Sequence, residues 1–349
     1  MRLPFTKKKI ETRDSLSNPS PWLSAALGGE SSAAGVRVDV QTAYGLPAFW
    51  SAVRLLSDTV ASLPLVVYQR TNNGKRRAYD HPLYRILHDE TSPNHSAFTF
   101  REVLQAHLLT HGNAYAQVIR NEAGQVISLM PLQPQKMEVK TDGQDLWYVY
   151  GNKHVMSAAE VLHVVGLGFD GLQGYSPVKL LRDSIGLGMA AQQYGAKFYA
   201  NNSTPSGVLA TAGRLSDEGV ANLRRSWESA HRGANNANKV AILEEGLKWQ
   251  QISVTPADAA YIETKRFSVQ DVARIMRVPV HMLGDLHTGA SYASIEQSSI
   301  EFEKHSVRPW LVRWEQAITR RLLGDSKTYF VEFVLDGLLR GDTASRVAM

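Results

Sequence analysis

The stretch from Thr255 to Leu323 constrains this chain most, because its caps, proline stops and apolar period leave little choice of local structure. Thr255-Pro256 sets an N-cap before a proline at the first helical position, which pre-organises a helix start. The helix runs on to Val278, with Ser268-Val269-Gln270-Asp271 as a second cap signal partway along. Val278-Pro279-Val280 stops it, since the residue before a proline is pushed out of α space. A short loop from His281 to Ser291 holds Gly284 and Gly289, and a long second helix then reaches Leu323. On that helix Val307, Leu311, Trp314, Ile318 and Leu322 form one apolar stripe, while Arg308, Arg313, Glu315, Arg320 and Arg321 fall off it. At ~1.5 Å per residue the helix from Tyr292 spans roughly 48 Å, and Pro309 inside it must kink it.

The chain has 349 residues, enough for two or three domains with real cores. A hydrophobic content of 44% with 20% charged residues is that of a soluble globular protein. Cysteine is absent, which excludes disulfides and thiolate metal sites. No apolar run approaches the ~18 residues a membrane helix needs; Val60 to Tyr68 is interrupted by Pro64. Lys7-Lys8-Lys9 resembles a signal n-region, but Glu11, Arg13 and Asp14 stand where the apolar stretch should be. The net charge of +5 is mild for this length and is not by itself a nucleic-acid binder's signature. Residues 1–38 are rich in Ser, Gly, Pro and charge, and read as a flexible basic arm.

Order begins near Asp39. Leu46, Phe49, Val53, Leu56 and Val60 mark an amphipathic helix between Thr42 and Val60, followed by a strand at Leu65-Val66-Val67-Tyr68 and a turn at Asn72-Asn73-Gly74. Residues 81–93 read as a short helix closed by Pro93-Asn94, and Thr99 as the cap of the next, which ends at Gly112-Asn113. A β-meander follows, with strands at Tyr115-Ile119, Val126-Pro131, Met137-Val139, Leu146-Tyr150 and Val161-Val165. Helices followed by a run of strands argue for an α+β domain over 39–165.

Ser176-Pro177 starts a third long helix reaching Asn202, full of small residues including Gly186, Gly188, Ala191 and Gly195. Glycines there cost ~1 kcal/mol each against alanine in an exposed helix, and are tolerated where another helix must come close. Residues 206–254 form a small α/β unit. It has a strand at Val208 to Thr211 and a helix capped by Ser216 that buries Val220, Leu223 and Trp227. A hairpin of Val240-Leu243 with Leu247-Ile252 completes it. Its ends are the ends of two long helices, 176–202 and 256–277, so those helices should lie side by side. A last strand is expected at Thr328 to Leu335. Asp342 could cap one more helix, which the end of the chain would cut short.

Several patterns point to chemistry and are outweighed by plainer readings. Gly166-Leu167-Gly168-Phe169-Asp170-Gly171 follows a strand like a dinucleotide fingerprint, but no helix starts at its glycines, so it reads as a glycine-rich turn. His107 and His111 have the spacing of two metal ligands, yet residue 108 is leucine where a zincin needs glutamate, and a third ligand is missing. Gly74-Lys75 is followed by Arg76, not Ser or Thr, so no P-loop is present. No catalytic residue, metal or cofactor is assigned. Ser268 to Val280 resembles the first helix of a helix-turn-helix reader, but a long loop follows Pro279 where a recognition helix should start. Arg224, Arg225, Arg232 and Lys239 cluster in the small unit, as a solvated face or as a contact for DNA phosphates or a partner protein.

Taken together, a set of short motifs resembles the portal proteins of tailed double-stranded DNA bacteriophages, in the lambdoid long-tailed, Hong Kong 97-type branch. The carriers are Ala61-Ser62-Leu63-Pro64-Leu65, His81-Pro82-Leu83, Ser92-Pro93-Asn94, Gly112-Asn113-Ala114-Tyr115-Ala116, Leu129-Met130-Pro131-Leu132 and Gly174-Tyr175-Ser176-Pro177. Val272-Ala273-Arg274-Ile275, Val278-Pro279, Leu283-Gly284, Glu296-Gln297 and Pro309 complete the set. The resemblance implies a portal fold: an α+β wing (39–175), two stem helices (176–202 and 255–278), a clip inserted between them (203–254) and a tunnel loop (279–291). A long kinked helix, a returning wing strand and the start of a shortened crown fill 292–349.

It further implies a ring of about twelve copies at one capsid vertex, assembled in the bacterial host cytoplasm and retained in the virion. Such a ring passes double-stranded DNA regardless of sequence, docks the terminase large subunit and later a head-tail adaptor, and meets capsid and scaffold proteins; no membrane is involved. Under this reading Leu283, His287, Thr288, Ser291 and Tyr292 face DNA. Arg224, Arg225, Arg232 and Lys239 meet DNA, terminase or adaptor, and Gly188, Ala191 and Gly195 pack the stem against copies of itself. The competing classes are a helix-turn-helix DNA-binding protein and a nucleotide-dependent enzyme.

Overall fold

A computed structural model describes residues 30–143, 145–200, 207–210, 216–231, 248–251, 256–284 and 292–335. By internal contacts the chain divides into a main unit, residues 1–190 with 265–349, and a second unit, residues 191–264.

The main unit opens with β1 (Glu30–Ser31) paired to β2 (Arg37–Val38), and α1 (Val40–Ala43), where Asp39 and Thr42 cap each other reciprocally. Next comes α2 (Pro47–Ser62), with proline at its first turn, then the hairpin of β3 (Leu65–Thr71) and β4 (Gly74–Arg77). After α3 (Pro82–His88) a small pair, β5 (Glu90–Ser92) and β6 (His95–Ser96), leads into α4 (Ala97–His111). Two three-stranded antiparallel sheets follow. One orders β12 (Val161–Val165), β7 (Asn113–Arg120) and β8 (Val126–Leu132). The other orders β11 (His154–Ser157), β10 (Leu146–Tyr150) and β9 (Met137–Thr141). Helices α5 (Pro177–Leu180) and the first half of α6 (Arg182–Ala200) end this run.

The second unit holds the rest of α6, the strand β13 (Gly207–Ala210), helix α7 (Asp217–His231) and strand β14 (Lys248–Gln251), which pairs antiparallel with β13. Helix α8 (Pro256–Met276) begins in the second unit and ends in the main one. Back in the main unit, a 3-10 turn (Val280–Leu283) and α9 (Tyr292–Phe302) precede a π turn (Glu303–Val307) and α10 (Arg308–Leu322). The last strand, β15 (Tyr329–Phe333), returns beside β3, giving a third sheet in the order β15-β3-β4.

The core of the main unit forms where α2, α4 and α10 meet. Val307, Leu311, Trp314, Ile318 and Leu322, the stripe read from the sequence, are all buried. At about 1.5–3 kcal/mol per large apolar side chain buried, that stripe alone anchors α10. Trp314 is fully enclosed, lies edge-on to Phe100 and donates its indole N–H to Gln105 Oε1 at 2.9 Å. Arg101, also buried, donates to the Ala61 and Leu87 carbonyls and so satisfies the C-terminal ends of α2 and α3 at once. Burial pulls its guanidinium down to about 10. A smaller core under the second sheet joins Tyr115, Leu132, Tyr148, Met156 and Val161.

Several expectations need correction. The first helix starts at Pro47, not Thr42, because Gly45 and Leu46 separate it from α1. Helix α3 stops at His88, and the residues up to Ser92 pair as β5 instead of prolonging it. The cap of α4 is Ser96, whose hydroxyl accepts from Thr99 N at 3.1 Å; Thr99 stands three residues inside. The strands expected as one meander split into two sheets and gain β11, whose short sequence carries no alternation.

Ser268 caps nothing, since α8 is continuous there and its hydroxyl donates back to Lys265 O. Leu181 breaks the third long helix into α5 and α6. Ahead of Pro309, where a kink was expected, the chain passes through a π turn in which Arg308 N–H reaches Glu303 O, and Pro309 stands in the first turn of α10. In the second unit Val220 is 44% exposed, so it is not on a buried face. The expected strand at Val240-Leu243, and the Trp227 side chain, lie outside the described residues.

Candidate functional site

Two features of the fold gather residues singled out in the sequence: the pairing of α6 with α8, and a glycine crossing below the first sheet. The pairing is seen inside each unit. In the main unit Gly188 of α6 faces α8, where an added Cβ would lie 3.1 Å from Ser268 Cβ and 3.3 Å from Leu46 Cδ2. In the second unit Gly195 lies against the Tyr261 ring, which also packs on Tyr194 with centroids 5.8 Å apart. Gly186 admits Ser32 and Val38. Ala191 is buried.

These glycines therefore serve contacts within one chain. Within the chain, the close neighbours are Ser268 and Leu46 at Gly188 and Tyr261 at Gly195. Helix α8 ends in a Schellman motif: Val278 N–H bonds Ala273 O, Arg277 N–H bonds Arg274 O, and Arg277 takes φ +56°. A residue other than glycine at that φ is uncommon, and Ser306 of the π turn holds its carbonyl by a hydrogen bond. The stop at Pro279 and the π turn are thereby tied together.

Of the remaining candidates, only Leu283 and Arg225 have described side chains. Leu283 sits on the 3-10 turn and packs, half-buried, against the main core. Tyr292 opens α9. His287, Thr288, Ser291, Arg232 and Lys239, with the side chains of Arg224 and Tyr292, lie outside the described residues. Arg225 is exposed on α7 and donates to Asn222 Oδ1.

The crossing joins three backbone segments. Gly112 ends α4 in the left-handed region at φ +73°, and a Cβ there would overlap the Tyr175 carbonyl. Cβ atoms on Gly168 and Gly174 would overlap backbone at Gln173 and Gly112 in the same way. Asn113 locks the segments: its amide donates to Gly174 O (2.8 Å) and His111 O (3.2 Å), and its Oδ1 accepts from Gly174 N–H at 2.8 Å.

The fourth bond fixes a tautomer. His163 Nε2–H donates to Asn113 Oδ1 at 3.1 Å, which leaves Nδ1 to accept from the Tyr148 hydroxyl at 3.2 Å. Burial, with Arg321 nearby, pushes His163 down to about 3, so the ring stays neutral. His107 and His111 are each pushed down to about 4, mainly by burial. Among the described residues no three His, Asp or Glu side chains form a group that could hold a metal. Arg313 closes the crossing from above by donating to Val165 O and Gly166 O.

Sequence reading singled out Gly112-Asn113 and Gly174-Tyr175 as separate motifs but missed that they touch. It missed His163 and Arg101 altogether, and placed Arg313 only as a residue off the apolar stripe. A signal did exist: three glycine-bearing turns, one followed by asparagine, are what a close backbone approach requires.

A family described as phage portal protein matches residues 47–349 of the chain. The portal protein of Enterobacteria phage HK97 is 36% identical over 308 residues, 86% of this chain and 72% of that protein. A probable portal protein of Streptomyces phage phiC31 is 33% identical, covering 92% and 74%. Among solved structures, a chain from the neck of an empty gene transfer agent particle, computed with C6 symmetry, superposes with a TM-score of 0.71 at 25% identity and covers 94% of each chain.

Proposed function

The chain belongs to the phage portal protein family, and from that premise we propose that it builds the ring-shaped conduit through which double-stranded DNA enters and leaves a capsid. Its role is that of a portal or head-tail connector. The single observation that supports the conduit most is the α6–α8 pairing in a chain whose residues 191–264 form a unit of their own. Repeated around an axis, such helix pairs make a wall.

In this reading residues 39–175 are the wing, 176–202 and 255–278 the stem, 203–254 the clip and 279–291 the tunnel loop. Twelve copies satisfy the sixfold symmetry of the similar neck. The clip, with Arg224, Arg225, Arg232 and Lys239, meets the terminase motor and later an adaptor, and capsid and scaffold proteins hold the wing. The ring assembles in the host cytoplasm and stays in the virion, and it carries out no catalysis.

A conduit must not grip. The stretch from His281 to Glu303, which takes in most of the tunnel loop and α9, has no Lys or Arg, so it neutralises few phosphates and lets DNA slide. Negative-stain images of the purified protein should show rings with a central hole wide enough for a duplex; compact particles without a hole would overturn the reading. Placing lysine at Thr288 and Ser291 should slow packaging in a motor assay, and an unchanged rate would remove the loop from the DNA path.

A further inference from the structure

The third sheet has an outer face that the conduit does not use. Its inner face, Leu65, Val67, Val331 and Phe333, is in the main core. Because side chains alternate, Tyr68 and Arg70 of β3 point the other way, with Arg77 and Lys75 of β4 and Phe330 and Glu332 of β15. Tyr68, Arg77 and Phe330 lie abreast on the three strands, and Arg70 stands directly opposite Lys75.

The rings of Tyr68 and Phe330 stack with centroids 5.6 Å apart. The Arg70 guanidinium sits 4.4 Å above Phe330, and Lys75 Nζ 4.7 Å above Tyr68. Arg77 rests against the hydroxyls of Tyr79 and Tyr68. Lys75 pairs with Glu332, but among the described residues no carboxylate is within ion-pair distance of Arg70, Arg76 or Arg77.

Charge on β4 alone would be an ordinary guard against edge-to-edge pairing. That explanation stops at Arg70. It stands on the central strand, where no edge needs guarding, and opposite another cation, where like charges destabilise a sheet. The aromatic floor carries that arrangement and holds the cations outward. Since the cations cover both stacked rings, the face offers no platform for unpaired bases, which single-strand binding would need. It offers positive charge held at fixed positions.

We propose that this face of β15-β3-β4 contacts the phosphate backbone of double-stranded DNA, at a site apart from the conduit. Binding is sequence-independent and strongly salt-dependent, with Arg70 and Arg77 as its main cations and Lys75 at its margin.

The test measures binding of the purified full-length protein to a labelled duplex of arbitrary sequence across a salt series, beside Arg70→Gln/Arg77→Gln and Arg70→Lys. Removing two phosphate contacts should lower the log–log salt slope by about 2 and weaken low-salt binding by about tenfold, while Arg70→Lys keeps most of both. An unchanged slope and affinity in the double variant overturns the proposal. So does displacement of the duplex by polyglutamate at lower charge concentration than by unlabelled duplex, which would assign the face to an acidic protein. Should the Gln variant lose its thermal unfolding transition, Lys75→Gln on the exposed edge gives the same readout, a slope lower by about 1, or overturns the proposal if the slope stays. Electron micrographs of the same samples separate a failure of this site from a failure to form rings.

Discussion

The glycines of the crossing and the glycines of α6 look alike in sequence and differ in what presses on them. At Gly112, Gly168 and Gly174 the neighbour is backbone, the carbonyls of Tyr175, Gln173 and Gly112. At Gly195 it is the hydroxyl end of a tyrosine, and at Gly188 a serine Cβ and a leucine methyl. A carbonyl inside a hydrogen-bonded crossing has nowhere to go, whereas a side-chain tip can rotate. One set is therefore a requirement of the fold and the other a tunable contact between helices.

The sharpest test of that difference is Gly174→Ala, which should cost more than about 4 kcal/mol or abolish soluble expression, since its Cβ meets Gly112 backbone. A thermal midpoint close to the parent's would erase the distinction. Next in size, Asn113→Ala leaves Gly174 and His163 without partners at the crossing and should cost about 2–3 kcal/mol in chemical denaturation.

Acid should open the crossing before it affects α6. His163, His107 and His111 have folded pKa values depressed from 6.5 to about 3, 4 and 4. The unfolded chain therefore takes up more protons than the folded one below pH 6.5. Their contribution is whole above that pH and is lost as pH falls toward 4 and below. Denaturation midpoints should drop across that window, and His107→Leu should flatten part of the fall; a curve of unchanged steepness would contradict the assignment.

The smallest effects belong to the helix. Gly195→Ala should stay within about 1 kcal/mol of the parent, because a helix propensity gain of that size opposes displacement of the Tyr261 ring. In a Tyr261→Leu background the same change should become stabilising. Gly188→Ala, with its nearest neighbours at 3.1 and 3.3 Å, should be close to neutral by thermal melting. A loss from Gly188→Ala as large as that from Gly174→Ala would put both glycine sets in one class.

Much of the α-helical frame was legible because it is local. Pro256 and Pro177 mark helix starts, Pro279 marks a stop, and the stripe from Val307 to Leu322 records which face is buried. Strands were found one by one for the same reason, their alternation being a property of a few neighbouring residues. The cap of α4 was misplaced by three residues because Ser96 and Thr99 both carry the right chemistry and only the path of the chain selects one.

The sequence by itself determined the helices, most strand positions and, through its motifs, the family. Tertiary structure alone decided that five expected strands make two sheets, that Gly112 and Gly174 cross, and that Arg70, Lys75 and Arg77 share one face. The physical reason is range. Asn113 and Gly174 are 61 residues apart, and Arg313 and Val165 are 148 apart. A hydrogen bond at that separation leaves no periodicity in the chain for local reading to find.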